Sequence, residues 1–133
     1  MKVAVTRLKR RQEFLRVAGT RRKWVAPGLI LQVRRHGSDD GFPGDMPPFR
    51  VGFTVSRKVG NAVQRNRARR RLCAAVERVM PAHAKGGFDF VVIGRKRTLR
   101  RPFTALIADL ETALKRLEAY DARKGGDTGG GLS

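Results

Sequence analysis

The sequence predicts an α/β domain in which one mixed sheet packs against helices. Segments of helical and strand periodicity alternate along the chain in the order helix, strands, helix, strand, helix. The chain has 133 residues, of which 41% are hydrophobic, and this is enough for one domain with a small core. We expect that domain to span residues 1–121. Residues 122–133 are rich in glycine and predict a flexible tail.

A helix and two strands are predicted in the first part of the chain. Residues 7–17 carry apolar side chains at helical spacing, and Gly19 is placed to end that helix. Residues 24–35 are extended, with the strand itself over the segment LILQV. Residues 37–48 are rich in Gly, Pro and Asp and predict a loop, whereas residues 49–56 alternate in polarity. We expect the two strands on either side of this loop to form an antiparallel pair.

A long helix is predicted between Asn61 and Pro81. Asn61 is a favourable N-cap and Gln64 follows three residues later, which is typical of a capping box. Pro81 is expected to end the helix. One apolar stripe indicates that the helix packs by its second half; it comprises Ala68, Leu72, Ala75, Val76 and Val79.

The last two elements are a strand over residues 88–94 and an amphipathic helix over residues 103–120. The strand segment, FDFVVIG, has the most strongly hydrophobic strand pattern in the chain. The helix carries leucines at helical spacing, which predicts one buried face. The segment between them, RKRTLRRP, is a basic connection.

The distribution of charge favours a polyanionic partner. Lysine and arginine number 30 against 11 acids, which gives a formal net charge of +19, and residues 46–76 contain no acid. Residues 57–71 carry seven cations, six of them arginine, a side chain that forks onto phosphate and stacks on bases. Like charges at i,i+4 cost a helix about 0.2–0.5 kcal/mol per pair. The run therefore predicts a surface that binds nucleic acid.

The sequence gives no indication of a membrane span, of secretion or of a disulfide within the chain. No apolar run approaches the ~18 residues of a membrane span, and the first residues lack the apolar segment of a signal peptide. Cys73 is the single cysteine, so no disulfide within the chain is possible. A basic membrane-surface protein is an alternative, but no helix carries a bulky apolar face suited to it. We expect no membrane partner and a cytoplasmic location.

No catalytic constellation is predicted on this chain. A protein nuclease needs clustered carboxylates for metal ions or an acid–base pair. The neighbouring aspartates lie in the loop 37–48, a poor place for exact geometry. His36 and His83 have no partners at ligand spacing and are expected to have surface or capping roles. Cys73 is expected to be a neutral, partly buried thiol. We predict neither a catalytic residue nor a metal site.

The segment RKVGNAVQRNRARRRL resembles the signature of the protein subunit of bacterial ribonuclease P. That signature is Gly-Asn-Ala-Val followed by Arg-Asn-Arg, which stand here at residues 60–63 and 65–67. The segments RLKRRQEF, FRVGFTVSRK and FDFVVIGRK resemble the family's first helix, the strand before the signature and the later strand. The resemblance covers about residues 7–117.

The resemblance implies a fold and a division of labour. The family fold is a two-layer α/β sandwich with a mixed four-stranded sheet and a left-handed crossover through the arginine-rich helix, against the usual right-handed rule. The catalyst is a large RNA, which cleaves precursor tRNA to form the mature 5′ end, with Mg²⁺ held by RNA. The signature helix contacts that RNA. A cleft between the first helix and the sheet holds the single-stranded 5′ leader.

The resemblance also implies site residues by position. The expected RNA contacts are Arg57, Lys58, Asn61, Arg65, Asn66, Arg67, Arg69 and Arg70. Phe14 is expected to line the leader cleft, and Phe53 is placed there as well, although aromatic residues in strands are usually core. Ala18 and Gln32 stand where relatives often carry aromatic residues. Stacking of the leader therefore has less support than binding by the signature helix.

Other functions stay open at this point. The chain could be a ribosomal or general RNA-binding protein, or a nuclease that acts without RNA. A DNA-binding role is weaker, because no leucine zipper or helix-turn-helix is evident. We expect the catalytic RNA and precursor tRNA as partners, and no protein partner.

Overall fold

The computed structural model describes residues 5–36 and 49–122. The predicted loop 37–48 and nearly all of the predicted tail lie outside the described residues. The helices and strands are β1 (Thr6–Arg7), α1 (Arg11–Gly19), β2 (Lys23–Val25), β3 (Leu29–Arg35), β4 (Arg50–Thr54), α2 (Ala62–His83), β5 (Phe88–Gly94) and α3 (Phe103–Arg116). A short 3-10 helix, Lys96–Leu99, precedes α3.

The sheet has five strands in the order β1-β4-β5-β3-β2, which corrects the predicted four. β1 pairs in parallel with β4, and its two residues are too few to show a strand period. β2 pairs with β3 as a hairpin inside the segment that the sequence predicts as one extended stretch. The turn between them is closed by a hydrogen bond from Ala26 N to Leu29 O of 2.8 Å.

The strands on either side of the 37–48 loop do not pair with each other, so that prediction is wrong. β5 lies between them, antiparallel to β3 and parallel to β4. The reason is its composition, since every residue of β5 except Ile93 is buried. A strand that is apolar on both faces is stabilised most at the centre of a sheet. α2 therefore connects two parallel neighbours, β4 and β5; the hand of this crossover stays a prediction.

The long helix begins where the sequence predicts. The Asn61 side chain accepts from Gln64 N and the Gln64 side chain accepts from Asn61 N, both at 2.9 Å. Every member of the predicted apolar stripe is buried, together with Met80. Pro81 does not end the helix but lies in its last turn, because α2 continues to His83. Proline has no N–H to donate one turn back, so α2 loses one backbone hydrogen bond here but is not ended by it.

The helices cover the two faces of the sheet unequally. α2 and α3 pack on one face, where their buried side chains form the main core with Val51, Phe90 and Val92. α1 packs on the other face, where Val17 forms a smaller cluster with Leu8 and Val91. This arrangement confirms the predicted α/β class and leaves part of the second face accessible.

Candidate nucleic-acid interface

The start of α2 is fixed by its cap before any partner binds. Gly60 has φ of 155°, and a Cβ there would come within 2.1 Å of the Gln64 side-chain oxygen. A larger residue would therefore displace the side chain that completes the cap. Asn61 is exposed but uses its side-chain oxygen in the same cap. The predicted RNA contact at Asn61 thus also has a structural function, which is to orient the arginines that follow.

The predicted RNA contacts lie in the turn before α2, at its N-cap and in its first turns, over residues 57–70. All of them are exposed except Arg65, which is half-buried. Among the described residues, no carboxylate forms an ion pair with any of these cations. Arg65 buries its Nε atom, which has no hydrogen-bond partner in the described part of the chain. We call these eight residues the arginine face: Arg57, Lys58, Asn61, Arg65, Asn66, Arg67, Arg69 and Arg70.

Arg71 has a different environment from its neighbours. Its Nε donates to Thr98 O at 2.9 Å, and its Nη2 donates to Arg101 O. These bonds tie α2 to the connection that follows β5. Arg71 is therefore part of the fold.

The structure adds Arg7, which sequence reasoning missed, to the edge of the arginine face. Arg7, Asn66, Arg69, Arg70 and Cys73 line one groove beside α2. The Arg7 guanidinium contacts Cys73 Sγ at 3.6 Å and lies 5.0 Å from the centre of the Phe53 ring. Only the pairing of β1 with β4 brings Arg7 here, and a two-residue strand leaves no pattern in the sequence.

Cys73 is half-buried, as predicted. Burial raises the pKa of its thiol above the ordinary value, although the nearby Arg7 charge opposes that rise. A raised pKa favours the neutral thiol, in line with the expectation for Cys73.

Phe14 and Phe53, which the resemblance places together in the leader cleft, lie on opposite faces of the sheet. Phe14 packs over Gly52, where a Cβ would come within 2.4 Å of its ring. Phe53 is the next residue along β4, so it points the other way and packs against the main core. The structure thus keeps Phe14 in the predicted cleft region and does not bring Phe53 to it.

A row of small and aliphatic side chains crosses the sheet on the α1 side. The strand registers align Thr54 with Ile93, Ile93 with Ile30, and Ile30 with Val25. Thr54 and Val25 are exposed, while Ile30 and Ile93 are half-buried. We call these four residues the open row. Gln32 lies on the same face and is half-buried. This surface therefore offers aliphatic and polar contacts, and Gln32 stands where relatives often carry an aromatic residue that could stack on a base.

A charge network fixes α1 to the sheet at the other end of this face. Arg50 donates one hydrogen bond to Glu13 of α1 at 2.7 Å. It also donates two hydrogen bonds to the carboxylate of Asp89 in β5, at 2.8 and 2.9 Å. His36 Nε2 lies 2.7 Å from Asp89 Oδ1, and both side chains are only 3% exposed. The His36 side chain is therefore buried and paired, which corrects the predicted surface or capping role. The contact with the buried Asp89 carboxylate holds the imidazole in place. This is a tertiary contact, and the position of His36 in the sequence does not indicate it.

The pKa shifts in this network follow from its contacts. Backbone N–H groups of Arg10 and Lys9, with the Arg50 guanidinium, lower the pKa of Glu13. The hydrogen bonds from Arg50 to Asp89 raise the pKa of Arg50. Both shifts favour the ionised pair, so the network is stabilised by its charges near neutral pH.

Neither a metal-binding cluster nor a membrane-spanning helix is found among residues 5–36 and 49–122. Within them, no group of three or more His, Cys, Asp or Glu side chains is arranged to hold a metal ion. No helix among them is long and apolar enough to cross a membrane.

Comparison with known proteins identifies the family. The family model described as Ribonuclease P matches residues 4–118. This chain belongs to the ribonuclease P protein family. The ribonuclease P protein component of Paramagnetospirillum magneticum is 59% identical over 119 residues, covering 90% of this chain and 87% of that protein. The corresponding component of Gluconacetobacter diazotrophicus is 50% identical over 110 residues, covering 83% and 89%.

Solved structures of ribonuclease P proteins share the fold. The protein from Thermotoga maritima aligns with a TM-score of 0.66 at 30% identity, covering 83% of this chain and 96% of that chain. The protein from Staphylococcus aureus aligns with a TM-score of 0.68, covering 89% and 100%; at 23% identity this likeness supports the fold alone. The recognised family and the predicted α/β class are confirmed.

Proposed function

We propose that this chain binds the catalytic RNA of ribonuclease P through the arginine face and thereby assists removal of the 5′ leader from precursor tRNA in the cytoplasm. The observation that carries the proposal is a capped helix start whose cations form no ion pair with any described carboxylate. Such cations are available to neutralise phosphates and release counterions. The RNA is the catalyst in this proposal, and the chain supplies binding and orientation.

The open row, with Phe14 beside it, is our proposed site for the single-stranded leader. Its side chains are partly accessible and lie on the face that α1 only partly covers. The open row contributes aliphatic contacts, while Lys23 on the same face is exposed and can meet a phosphate. Phe53 is left out of this site because it faces the main core.

The proposed Mg²⁺ requirement belongs to the RNA. Mg²⁺ prefers oxygen ligands in octahedral geometry and is commonly held by phosphates. The chain's residues, in this proposal, lower the repulsion between the two RNAs and so reduce the Mg²⁺ concentration that assembly needs.

A reconstitution tests the proposal. The purified chain is mixed with the catalytic RNA of the same organism and precursor tRNA at low Mg²⁺, and 5′ cleavage is followed. We expect cleavage to exceed that of the RNA alone, and Arg67→Ala to reduce the gain. Equal cleavage with and without the chain would refute the proposal. Cleavage by the chain without RNA would instead establish a protein nuclease.

A general RNA-binding protein is distinguished by competition. We expect unrelated structured RNA in tenfold excess to leave most of the complex with the catalytic RNA intact at moderate salt. Equal competition by unrelated RNA would favour the general RNA-binding alternative.

A further inference from the structure

The connection between β5 and α3 carries a second concentration of cations. Residues 95–101 read RKRTLRR, five cations in seven residues, and include the 3-10 helix Lys96–Leu99. The family signature does not include this segment.

This connection is held rigidly from three sides. Thr98 is fully buried and donates its hydroxyl to Gly28 O at 2.6 Å. Arg71 of α2 holds the carbonyls of Thr98 and Arg101. Arg101 in turn pairs with the buried Asp109 of α3 at 2.6 Å. A segment fixed in this way presents its remaining side chains with little loss of backbone freedom on binding.

The five cations therefore divide into two groups. Arg95 donates to Ala26 O at 2.7 Å, and Arg101 pairs with Asp109, so these two serve the fold. The other three, Lys96, Arg97 and Arg100, are exposed and form no ion pair within residues 5–36 and 49–122. Three unpaired cations on a rigid turn favour an anionic ligand.

Two adjoining concavities lie beside these cations: Lys96 and Arg97 line both, and Arg100 lines the larger one. The larger, of about 550 Å³, is lined by Lys96, Arg97 and Arg100 together with the apolar side chains of Val59 and Leu99. Its volume falls within the range of roughly 300–1,000 Å³ that is usual for ligand pockets. An apolar floor with a cationic rim suits a nucleotide, whose base is apolar on its faces and whose phosphate is charged.

The second concavity connects this surface to the arginine face. Its lining includes Lys58 and Ser56, and it shares Val59, Lys96 and Arg97 with the first concavity. A nucleic-acid strand that meets Lys58 in the turn before α2 can therefore continue onto the 3-10 helix without leaving cationic surface.

We propose that Lys96, Arg97 and Arg100, with Val59 and Leu99, form a second RNA-binding site that takes the phosphates and one nucleoside of an RNA strand. Arginine at two of the three positions provides bidentate contacts to phosphate. The site rests on the proposed function only in its choice of RNA as the polyanion. The strand can come from the catalytic RNA or from precursor tRNA, and the chemistry is shared.

The test compares Arg97→Ala and Arg100→Ala with Arg78→Ala in the full-length chain. Arg78 is an exposed arginine in the second half of α2, so its removal changes the net charge equally. One set of titrations measures the affinity for the catalytic RNA alone. A second set measures the affinity of the reconstituted holoenzyme for precursor tRNA. Both are repeated over a range of salt concentrations, and thermal unfolding checks each variant's fold.

We expect Arg97→Ala and Arg100→Ala to weaken one of the two affinities by 5- to 20-fold and to reduce its log–log salt slope by about 1. The affinity that changes identifies the source of the strand. Affinities within twofold of those of wild type and Arg78→Ala in both titrations would overturn the site. Arg67→Ala in the same titrations separates the proposals, because its failure to weaken binding would count against the arginine face itself.

Discussion

The arginine face and the Glu13–Arg50–Asp89 network use the same side-chain chemistry for opposite purposes. In the network, Arg50 is only 18% exposed and contacts two carboxylates from two other elements. On the arginine face, the cations are mostly exposed, and no described carboxylate pairs with them. The comparison teaches that three acids among the described residues, Glu13, Asp89 and Asp109, lie where their charge stabilises the fold. The cations that remain unpaired mark the surface available to a polyanion.

Breaking the network should give the largest effect on stability. We expect Asp89→Asn to lower the free energy of unfolding by about 3 kcal/mol, because it leaves the Arg50 charge without its main partner in a poorly solvated site. Chemical denaturation measures the change. The matched control is Glu118→Gln, an exposed position, which should change stability by less than about 0.5 kcal/mol. Equal stability of the two variants would show that the network does not hold α1 to the sheet.

Two adjacent arginines of α2 sharpen the comparison within one helix. We expect Arg71→Ala to lower the free energy of unfolding by about 2 kcal/mol, because its charge-assisted hydrogen bonds to Thr98 O and Arg101 O are lost. Arg70→Ala should leave stability within about 0.5 kcal/mol and weaken binding of the catalytic RNA. Thermal unfolding and RNA titration of both variants measure these effects. The opposite assignment, with Arg70→Ala the less stable variant, would contradict the division.

The smallest expected effect is the contribution of Glu13 to the pH dependence of the free energy of unfolding. Its pKa in the folded chain is lowered from the ordinary value of 4.5. The stabilisation is therefore fully present above pH 4.5 and is lost as the pH falls through the lowered folded pKa. At pH 7 we expect Glu13→Gln to be less stable by about 1 kcal/mol. Unfolding followed from pH 7 to pH 3 should show this difference shrink, whereas a constant difference would exclude a contribution from the ionised carboxylate.

Local features of this fold follow from the sequence, because they depend on neighbouring residues. The capping box at Asn61 and Gln64 and the buried stripe of α2 need only helical spacing. The alternation along β4 likewise groups Phe53 with Val51, which faces the main core. The sequence does not show which face of the sheet α1 covers, because that depends on long-range contacts. Phe14 of α1 and Phe53 of β4 are therefore both assigned to the leader cleft from the sequence, although the structure places them on opposite faces.

Contacts between elements that are distant in the chain could not be predicted from the sequence. Arg7 reaches α2 only because a two-residue strand pairs with β4. His36 and Asp89 are 53 positions apart, and their contact requires the register of β3 against β5. The strand order also depends on distant elements. β5 lies at the centre of the sheet because it is buried on both faces, and its position along the chain does not indicate this.

The salt dependence of binding to the catalytic RNA tests the central claim most directly. The wild-type chain, Arg67→Ala and Arg78→Ala are titrated with the RNA from low to moderate salt. We predict that Arg67→Ala binds more weakly with a log–log slope shallower by about 1, while Arg78→Ala keeps the wild-type slope and all three unfold at the same temperature. A wild-type slope and affinity for Arg67→Ala would contradict the assignment of the arginine face to RNA.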